Sequence, residues 1–208
     1  LNYMTEVLKG TPSNDELIIN LRERSITKEL SKVVIIQSSW DLIAFNEEWI
    51  QIDVKESGKQ GVIKGDIKPY VSIYEEQNVY IGEHTVIEDF VVIDASKGPV
   101  YIEPHVTIQA HSRLEGPLFI GHHCQILGAT IKQSSIGAYC KIGGEVSHSI
   151  FMPYSNKAHY GYVGHSYIGS WVNLGAGTTT SNLKSNYSKV RIQHDGYNVE
   201  TGYQFLGA

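Results

Sequence analysis

Large aliphatic residues recur at every sixth position over long stretches of the chain. A period of six is neither the 3.6 of an α-helix nor the alternation of a half-exposed strand. Short repeats of this kind indicate a parallel β-helix, in which three six-residue units close one triangular coil and the aliphatic residue points into the prism. The repeat positions are Ile81, Ile87, Ile93, Ile102, Ile108, Leu114, Ile120, Ile126, Ile136, Ile142, Ile168, Leu174 and Thr180.

A small or β-branched residue stands two positions before each repeat position, and glycine often follows it. We expect the small residue near a corner of the coil, and we expect glycine there because it tolerates a tight turn. Leu118 is the large exception. Cys124 and Cys140 both occupy the small-residue position, so they are predicted to be inert thiols in the core.

Residues 1–56 follow a different pattern. Val33 to Ile36 predicts a short buried strand, and Ser38-Ser39 can cap the helix that follows. Residues 1–56 are therefore assigned to a small N-terminal α/β appendage or connector, and residues 57–208 to the β-helix domain. The predicted apolar face of the helix consists of Leu42, Phe45, Trp49 and Ile52.

Composition narrows the functional classes. The net charge is −5 and no basic run occurs, which argues against nucleic acid as a partner. No apolar stretch approaches the roughly 20 residues that span a bilayer, so no membrane partner is expected. Two cysteines do not form a disulfide framework, and a reducing cytoplasm is the expected compartment.

The six-residue register is broken most strongly between Gly143 and Tyr162, a segment that contains His148, Lys157 and His159. Extra residues in a solenoid must leave as external loops because the core has no room for them. Loops on a rigid scaffold often carry function. This interruption is therefore the first place to look for a site.

The segment from Asn156 to Asn182 reads NKAHYGYVGHSYIGSWVNLGAGTTTSN. The hexapeptides resemble the left-handed parallel β-helix acyltransferases, and this segment resembles the acetyltransferase domain of the bacterial bifunctional glucosamine-1-phosphate acetyltransferase and N-acetylglucosamine-1-phosphate uridyltransferase. The resemblance implies that His159 is the catalytic base, that Tyr162 and Asn173 contact the amino sugar, and that Asn182 lies near the acetyl group.

The same resemblance suggests further residues. An acidic residue helps to hold the family's histidine, and Glu145 is the nearest candidate. Ser147 stands where the family has a lysine, so the sugar phosphate needs other cations. His165 has no role in the family and is expected to be a solvated corner residue. The remaining assignments are Lys157 and Lys189 to the substrate, and Gly175, Ala176 and Tyr203 to acetyl-CoA.

The resemblance implies acetyl-CoA as co-substrate, an amino-sugar phosphate or nucleotide sugar as acceptor, and no metal requirement for acetyl transfer. It also implies a homotrimer with the site between subunits. The helix after Trp40 resembles the connector that follows a nucleotidyltransferase-like domain, so an upstream domain is expected. Tyr203, Phe205 and Leu206 read as the start of another coil. The chain is therefore expected to be truncated at its C-terminal end and to be inactive alone if the missing coils bind coenzyme A.

Two alternatives remain open. One is a non-catalytic oligomerisation or sugar-nucleotide-sensing module, which the lack of a matched phosphate-binding cation favours. The other is a trimeric zinc enzyme similar to the β-helix carbonic anhydrases, because His105 and His123 are eighteen residues apart and His111 lies six after His105. Three neutral imidazoles are an acceptable zinc ligand set.

Overall fold

The computed structural model describes residues 34–194 and 196–207, with the side chain of residue 194 left out. Apart from residues 34 and 35, these belong to one compact unit. The predicted strand at Val33–Ile36 is not formed over residues 34–36, and Val33 lies outside the described residues. No helix in the described part of the chain is long and apolar enough to cross a membrane.

The helix predicted from the N-terminal pattern is confirmed as α1, Ser39–Ser57. The Asp41 carboxylate accepts hydrogen bonds from the backbone N–H groups of Gln37 and Ser38, which holds the start of the helix. At the other end, Gly58 adopts φ 63°, a left-handed conformation that glycine tolerates well.

The predicted apolar face of α1 is wrong at Trp49 and Ile52, whereas Leu42 and Phe45 are half-buried. The buried residues are Asn46, Ile50 and Val54, whereas Trp49 and Ile52 are about two-fifths exposed. Ile50 and Val54 pack with Tyr80 and Tyr101 on the outside of the solenoid. The aromatic residues on that outer surface therefore select which side of the helix is buried.

A left-handed parallel β-helix follows the helix, as predicted. Its first face consists of β3 (Val79–Ile81), β6 (Val100–Ile102), β9 (Leu118–Ile120), β11 (Ser135–Ile136), β13 (Ile150–Phe151) and β16 (Tyr167–Ile168). Its second face consists of β1 (Asp66–Ile67), β4 (Val86–Ile87), β7 (Thr107–Ile108) and β14 (Asn156–Lys157), with the first parts of β10 (Gln125–Lys132) and β12 (Lys141–Ser147).

The third face consists of β2 (Ser72–Tyr74), β5 (Val92–Asp94), β8 (Arg113–Glu115) and β15 (Tyr162–Gly164), with the last parts of β10 and β12. β10 and β12 turn a corner of the prism at Gly128 and Gly144, whose φ angles are 62° and 72°. A short 3-10 helix, Glu76–Asn78, joins the first two described coils.

The repeat residues form aliphatic columns inside the prism, as their spacing predicts. On the first face, Ile81 pairs with Ile102 and Ile102 with Ile120, and each is fully buried. Burying such a side chain stabilises the fold by about 1.5–3 kcal/mol. The solenoid begins one coil earlier than the six-residue period predicts. This first coil contains Ile63, which bridges to Ile81, and Ile67, which pairs with Ile87.

The expected role of the corner glycines is wrong. Gly82, Gly121 and Gly137 have ordinary negative φ angles, and a Cβ on them would lie within 2.5–2.7 Å of backbone nitrogen in the next coil. Glycine is needed here so that adjacent coils can approach. The left-handed conformation falls two residues later, on non-glycine residues such as His84, His123 and Tyr139.

Candidate active site

Tyr162 and Asn182, which the sequence assigns to one site, lie in hydrogen-bond contact. Asn182 Nδ2 donates to the Tyr162 hydroxyl at 2.8 Å. The same hydroxyl lies 3.0 Å from Ser147 Oγ, which comes from the adjacent strand β12. Asn182 Nδ2 is also 2.8 Å from His165 Nδ1. These four side chains form a polar cluster at the third face of the solenoid.

His165 is a corrected assignment, because it is half-buried in this cluster rather than solvated. Its imidazole stacks between His148, at 4.6 Å between ring centroids, and Phe205, at 5.3 Å. Burial, together with repulsion from His148, lowers the pKa of His165 to about 4. His165 is therefore neutral near pH 7.

The segment expected to begin another coil instead folds back on the solenoid, so that prediction is wrong. An antiparallel hairpin of β17 (Arg191–His194) and β18 (Tyr197–Glu200) precedes the return. Leu206 N–H then donates to Asn182 O at 3.0 Å, and Gly207 N–H donates to His165 O at 2.8 Å. Two backbone hydrogen bonds thus fix the returning segment against the polar cluster.

His159, the predicted base, lies on the turn between β14 and β15, three residues before Tyr162. Its side chain is exposed, and its imidazole makes no hydrogen bond to another described residue. Its backbone carbonyl accepts a hydrogen bond from Lys157 Nζ at 2.9 Å. The imidazole is thus free to contact a ligand, while the backbone that carries it is held from inside the solenoid.

Lys157 does not lie where a substrate contact requires it, and that assignment is corrected. It pairs with Ile142 in the aliphatic column of the second face and is 1% exposed. Its ammonium donates to Gly143 O at 2.8 Å as well as to His159 O. Burial lowers its pKa. A lysine at a core position thus connects two successive turns of the solenoid.

Glu145 lies on β12 directly beside Tyr162, its partner in the parallel ladder. Its side chain is exposed and makes no hydrogen bond to His159 in the described structure. The predicted hydrogen bond from Glu145 that would orient the His159 imidazole is therefore not formed in this chain. Glu145 is the strand neighbour of Tyr162, and His159 lies three residues before Tyr162 in the sequence.

Asn173 is not part of the polar cluster. Its Oδ1 accepts a hydrogen bond from Asn156 Nδ2 at 2.7 Å, between two coils of the second face. Lys189 also lies apart, in the loop before the hairpin, where its carbonyl accepts from Lys184 Nζ at 3.1 Å. The structure thus brings together Tyr162 and Asn182, and it leaves the other predicted sugar contacts at separate places.

Two of the three residues assigned to acetyl-CoA lie on the last described coil. Gly175 and Ala176 are exposed, and a Cβ on Gly175 would meet no atom within 4 Å. Their backbone N–H groups make no hydrogen bond within the described chain, whereas Gly177 N–H donates to Tyr160 O. Two N–H groups at an open turn fit a thioester oxygen that gains charge. Tyr203 lies elsewhere, on the returning segment, where its carbonyl accepts from Val190 N–H.

The histidines that suggested zinc are members of aromatic stacks. His105 stacks between His84 and His123 with ring centroids 4.9 and 4.8 Å apart, and His111 stacks on Phe90 at another corner. Parallel rings direct their in-plane nitrogen lone pairs to different heights rather than to one point. Among the described residues, no group of three His, Cys, Asp or Glu side chains is suited to a metal ion.

No family model matches the chain, but two bifunctional enzymes are similar to it in sequence. The bifunctional protein GlmU of Thermodesulfovibrio yellowstonii is 31% identical over 199 residues, which is 92% of this chain and 38% of that protein. A bifunctional sugar-1-phosphate nucleotidylyltransferase/acetyltransferase of Sulfurisphaera tokodaii is 36% identical over 78 residues, 38% of this chain and 18% of that protein.

In its repeat, its left-handed β-helix and these relatives, the chain resembles the hexapeptide-repeat acyltransferases. It spans well under half of the length of these two relatives. A solved structure of the D94A mutant of AntD, an N-acyltransferase from Bacillus cereus in complex with dTDP and coenzyme A, is 15% identical, covers 62% of this chain and 83% of that one, and has a TM-score of 0.19. That likeness is too distant to carry an argument.

The sequence does not identify two members of the polar cluster. It presents Ser147 only as the replacement of a lysine, and it predicts that His165 is solvated. Ser147, Tyr162 and His165 lie on successive strands or corners of adjacent coils. The coil register would have placed them together, but the irregular spacing between Ile142 and Val163 hides that register in the sequence.

Proposed function

We propose that the chain carries the acceptor side of an acetyl-CoA-dependent N-acetyltransferase that acts on an amino-sugar phosphate or a nucleotide-linked amino sugar. The observation that carries the proposal is the contact between Tyr162 and Asn182, with the exposed His159 on the turn that leads into Tyr162. The names of the relatives, which include a sugar-1-phosphate nucleotidylyltransferase/acetyltransferase, support this substrate class.

The chemistry requires a neutral amine and a group that takes its proton. The amine nitrogen attacks the thioester carbonyl, so that a C–N bond forms and the C–S bond breaks. His159 accepts the proton of the amine and returns it to the departing thiolate, which leaves as coenzyme A. Histidine is the side chain most often used as a general base at neutral pH, and such a base contributes about 10²–10⁴-fold.

The carbonyl oxygen of the thioester becomes negatively charged during attack. The unpaired N–H groups of Gly175 and Ala176 are the proposed donors to that oxygen, because they lie at an exposed turn that nothing else in the described chain occupies. No covalent acyl-enzyme is needed. Acetyl-CoA is the proposed co-substrate, and Tyr203 is a further proposed contact to it.

We further propose a homotrimer with the site between neighbouring subunits. Asn173 and Tyr162 lie on different faces of one prism, and a second copy of the chain can bring its Asn173 to the face that carries Tyr162. The same arrangement can bring Lys189 and Glu145 to a site that they do not share within one chain. A reducing cytoplasm is the proposed compartment, since both cysteines are buried free thiols.

The test measures release of free thiol from acetyl-CoA with glucosamine-1-phosphate and with a panel of amino sugars and nucleotide-linked amino sugars. It uses the longest natural form of the protein. We expect acceptor-dependent release that His159→Ala abolishes and His84→Ala, an exposed histidine on the corner stack, retains.

Three outcomes would overturn parts of the proposal. Equal background release by wild type and His159→Ala across the whole panel would favour a non-catalytic module. Stoichiometric zinc in the purified protein, with loss of function in His105→Ala, would favour the metal enzyme. A monomer by light scattering with full activity would remove the shared site.

A further inference from the structure

In the polar cluster, the neighbours of Asn182 determine which end of its side-chain amide faces inward. The carboxamide of Asn182 has a donor end, Nδ2, and an acceptor end, Oδ1. Nδ2 faces inward to the Tyr162 hydroxyl and to His165 Nδ1, at 2.8 Å in both cases. Oδ1 has no hydrogen-bond partner among the described residues and is not buried.

His165 is the neighbour that distinguishes this orientation of the Asn182 amide from the flipped one. An amide nitrogen cannot accept a hydrogen bond, so His165 Nδ1 must be the acceptor and its proton must be on Nε2. The stacking of His165 between His148 and Phe205 holds the plane of the imidazole, whose Nδ1 faces Asn182. Burial and the neighbouring His148 lower the pKa of His165 to about 4, so the imidazole is neutral near pH 7 and keeps one ring nitrogen as an acceptor.

The Tyr162 oxygen accepts from Asn182 and lies 3.0 Å from Ser147 Oγ, and either of these two hydroxyls can donate to the other. Both hydrogens of Asn182 Nδ2 are then used inside the cluster. The end of the Asn182 amide that is left for a ligand is therefore the acceptor, Oδ1.

We propose that His165 is a positioning and specificity-determining residue that turns the Asn182 oxygen outward, so that the site selects a ligand group carrying hydrogens, such as the amine or a hydroxyl of an acceptor sugar. The inference rests on the proposed acetyltransferase function for the identity of the ligand. The orientation of Asn182 itself does not depend on that function. Asn182 also lines an open groove of about 520 Å³ with Ser181, Lys184, Asn186 and Leu206, which leaves room for such a ligand.

Two variants of residue 165 test the acceptor nitrogen and the stacked ring of His165 separately. His165→Phe retains a ring between His148 and Phe205 but has no acceptor for Asn182. His165→Asn loses the ring but places Oδ1 near the position of Nδ1, and asparagine tolerates the left-handed backbone, φ 49°, of residue 165. We expect His165→Phe to raise the KM for the amino-sugar acceptor about tenfold with kcat within about twofold, and His165→Asn to keep KM within about threefold of wild type.

A second measurement works without turnover. In the ¹⁵N spectrum of the full chain, the ring nitrogens of His165 show directly which of them carries the proton, and we expect Nε2. The side-chain amide signals of Asn182 should move in His165→Phe and stay near their original positions in His165→Asn. Thermal unfolding of both variants shows whether they are folded.

The outcomes are distinct. A proton on Nδ1, or Asn182 signals unchanged in folded His165→Phe, would overturn the proposed orientation. A KM increase in His165→Asn without one in His165→Phe would show that the ring stack, and not the acceptor nitrogen, matters, and would overturn the proposal. If wild type acetylated no amino sugar while the nitrogen and amide signals behaved as expected, the proposed function would fail and the orientation of Asn182 would stand.

Discussion

The buried ammonium of Lys157 donates a hydrogen bond to the backbone carbonyl of His159, the proposed base, at 2.9 Å. Its second hydrogen bond goes to Gly143 O on the preceding coil. A charged group in an aliphatic column is expensive unless it is hydrogen-bonded. We therefore interpret Lys157 as the residue that holds the His159 turn from inside the solenoid. Its replacement by methionine should change the activity more than the stability of the protein.

Lys157→Met should leave the free energy of unfolding within about 1 kcal/mol of wild type, because removal of a buried charge offsets two lost hydrogen bonds. Lys157→Ala leaves a cavity and should cost about 3 kcal/mol. Urea unfolding measures both. We expect kcat of Lys157→Met to fall about tenfold, since the His159 turn loses its tether. A methionine variant as unstable as the alanine variant would contradict the interpretation.

The pH dependence of stability provides an independent check on Lys157. Burial lowers its folded-state pKa below the ordinary value of a lysine. Between the folded and unfolded pKa values the unfolded chain binds more protons, so wild-type stability should rise with pH in the alkaline range below about 10.5. Unfolding midpoints of wild type minus those of Lys157→Met, measured across that range, should increase with pH. A flat difference would mean that the lysine is not perturbed.

His159 and Glu145 should differ in importance. Both are exposed, so His159→Gln and Glu145→Gln should change the free energy of unfolding by less than about 0.5 kcal/mol. We expect His159→Gln to lower kcat by about 10²–10⁴-fold and Glu145→Gln by less than about tenfold, because the two side chains are not hydrogen-bonded to each other in this chain. Equal losses would indicate that Glu145 orients the base after assembly or ligand binding.

Two glycines of the same repeat position form a matched pair. A Cβ on Gly143 would lie 2.2 Å from Ala158 O in the next coil, whereas one on Gly175 would meet nothing within 4 Å. Gly143→Ala should destabilise the protein by about 2 kcal/mol or more, and Gly175→Ala by less than about 0.5 kcal/mol. Thermal unfolding tests this contrast. Similar melting temperatures would show that the coils can move apart at little cost.

The two cysteines should resist modification in the folded protein. Both are buried, and Cys124 Sγ lies 3.0 Å from Gly137 O. Contact with the Cys140 thiol and burial raise the pKa of Cys124, which removes the reactive thiolate. Alkylation by iodoacetamide at pH 8 should be at least about 100-fold slower than in urea. Rapid labelling of the native protein would contradict a closed core at the second face.

The parallel β-helix could be predicted because its core is one-dimensional. Each aliphatic residue at a repeat position contacts its counterparts one coil away, so the period alone identifies Ile81, Ile102 and Ile120 as one column. The cysteines were placed correctly by the same rule. The first coil, at Ile63 and Ile67, was missed because those residues are four apart rather than six.

Glycine shows a limit of the same reasoning. Its presence after the repeat position was visible in the sequence, but the sequence does not say whether glycine serves a positive φ or a close approach. The structure assigns Gly82 and Gly121 to close approach, because backbone of the next coil occupies the space where a Cβ would be. The neighbouring residue His84 takes the left-handed conformation instead.

The sequence by itself determined the solenoid, its buried columns and the segment that holds the candidate site, since all three depend on spacing along the chain. Only the tertiary structure decided that Lys157 lies in the core and that His165 joins Tyr162 and Asn182. These contacts join residues in different coils and in the returning segment. Irregular coil lengths and a fold-back set their register, and neither has a period that spacing can reveal.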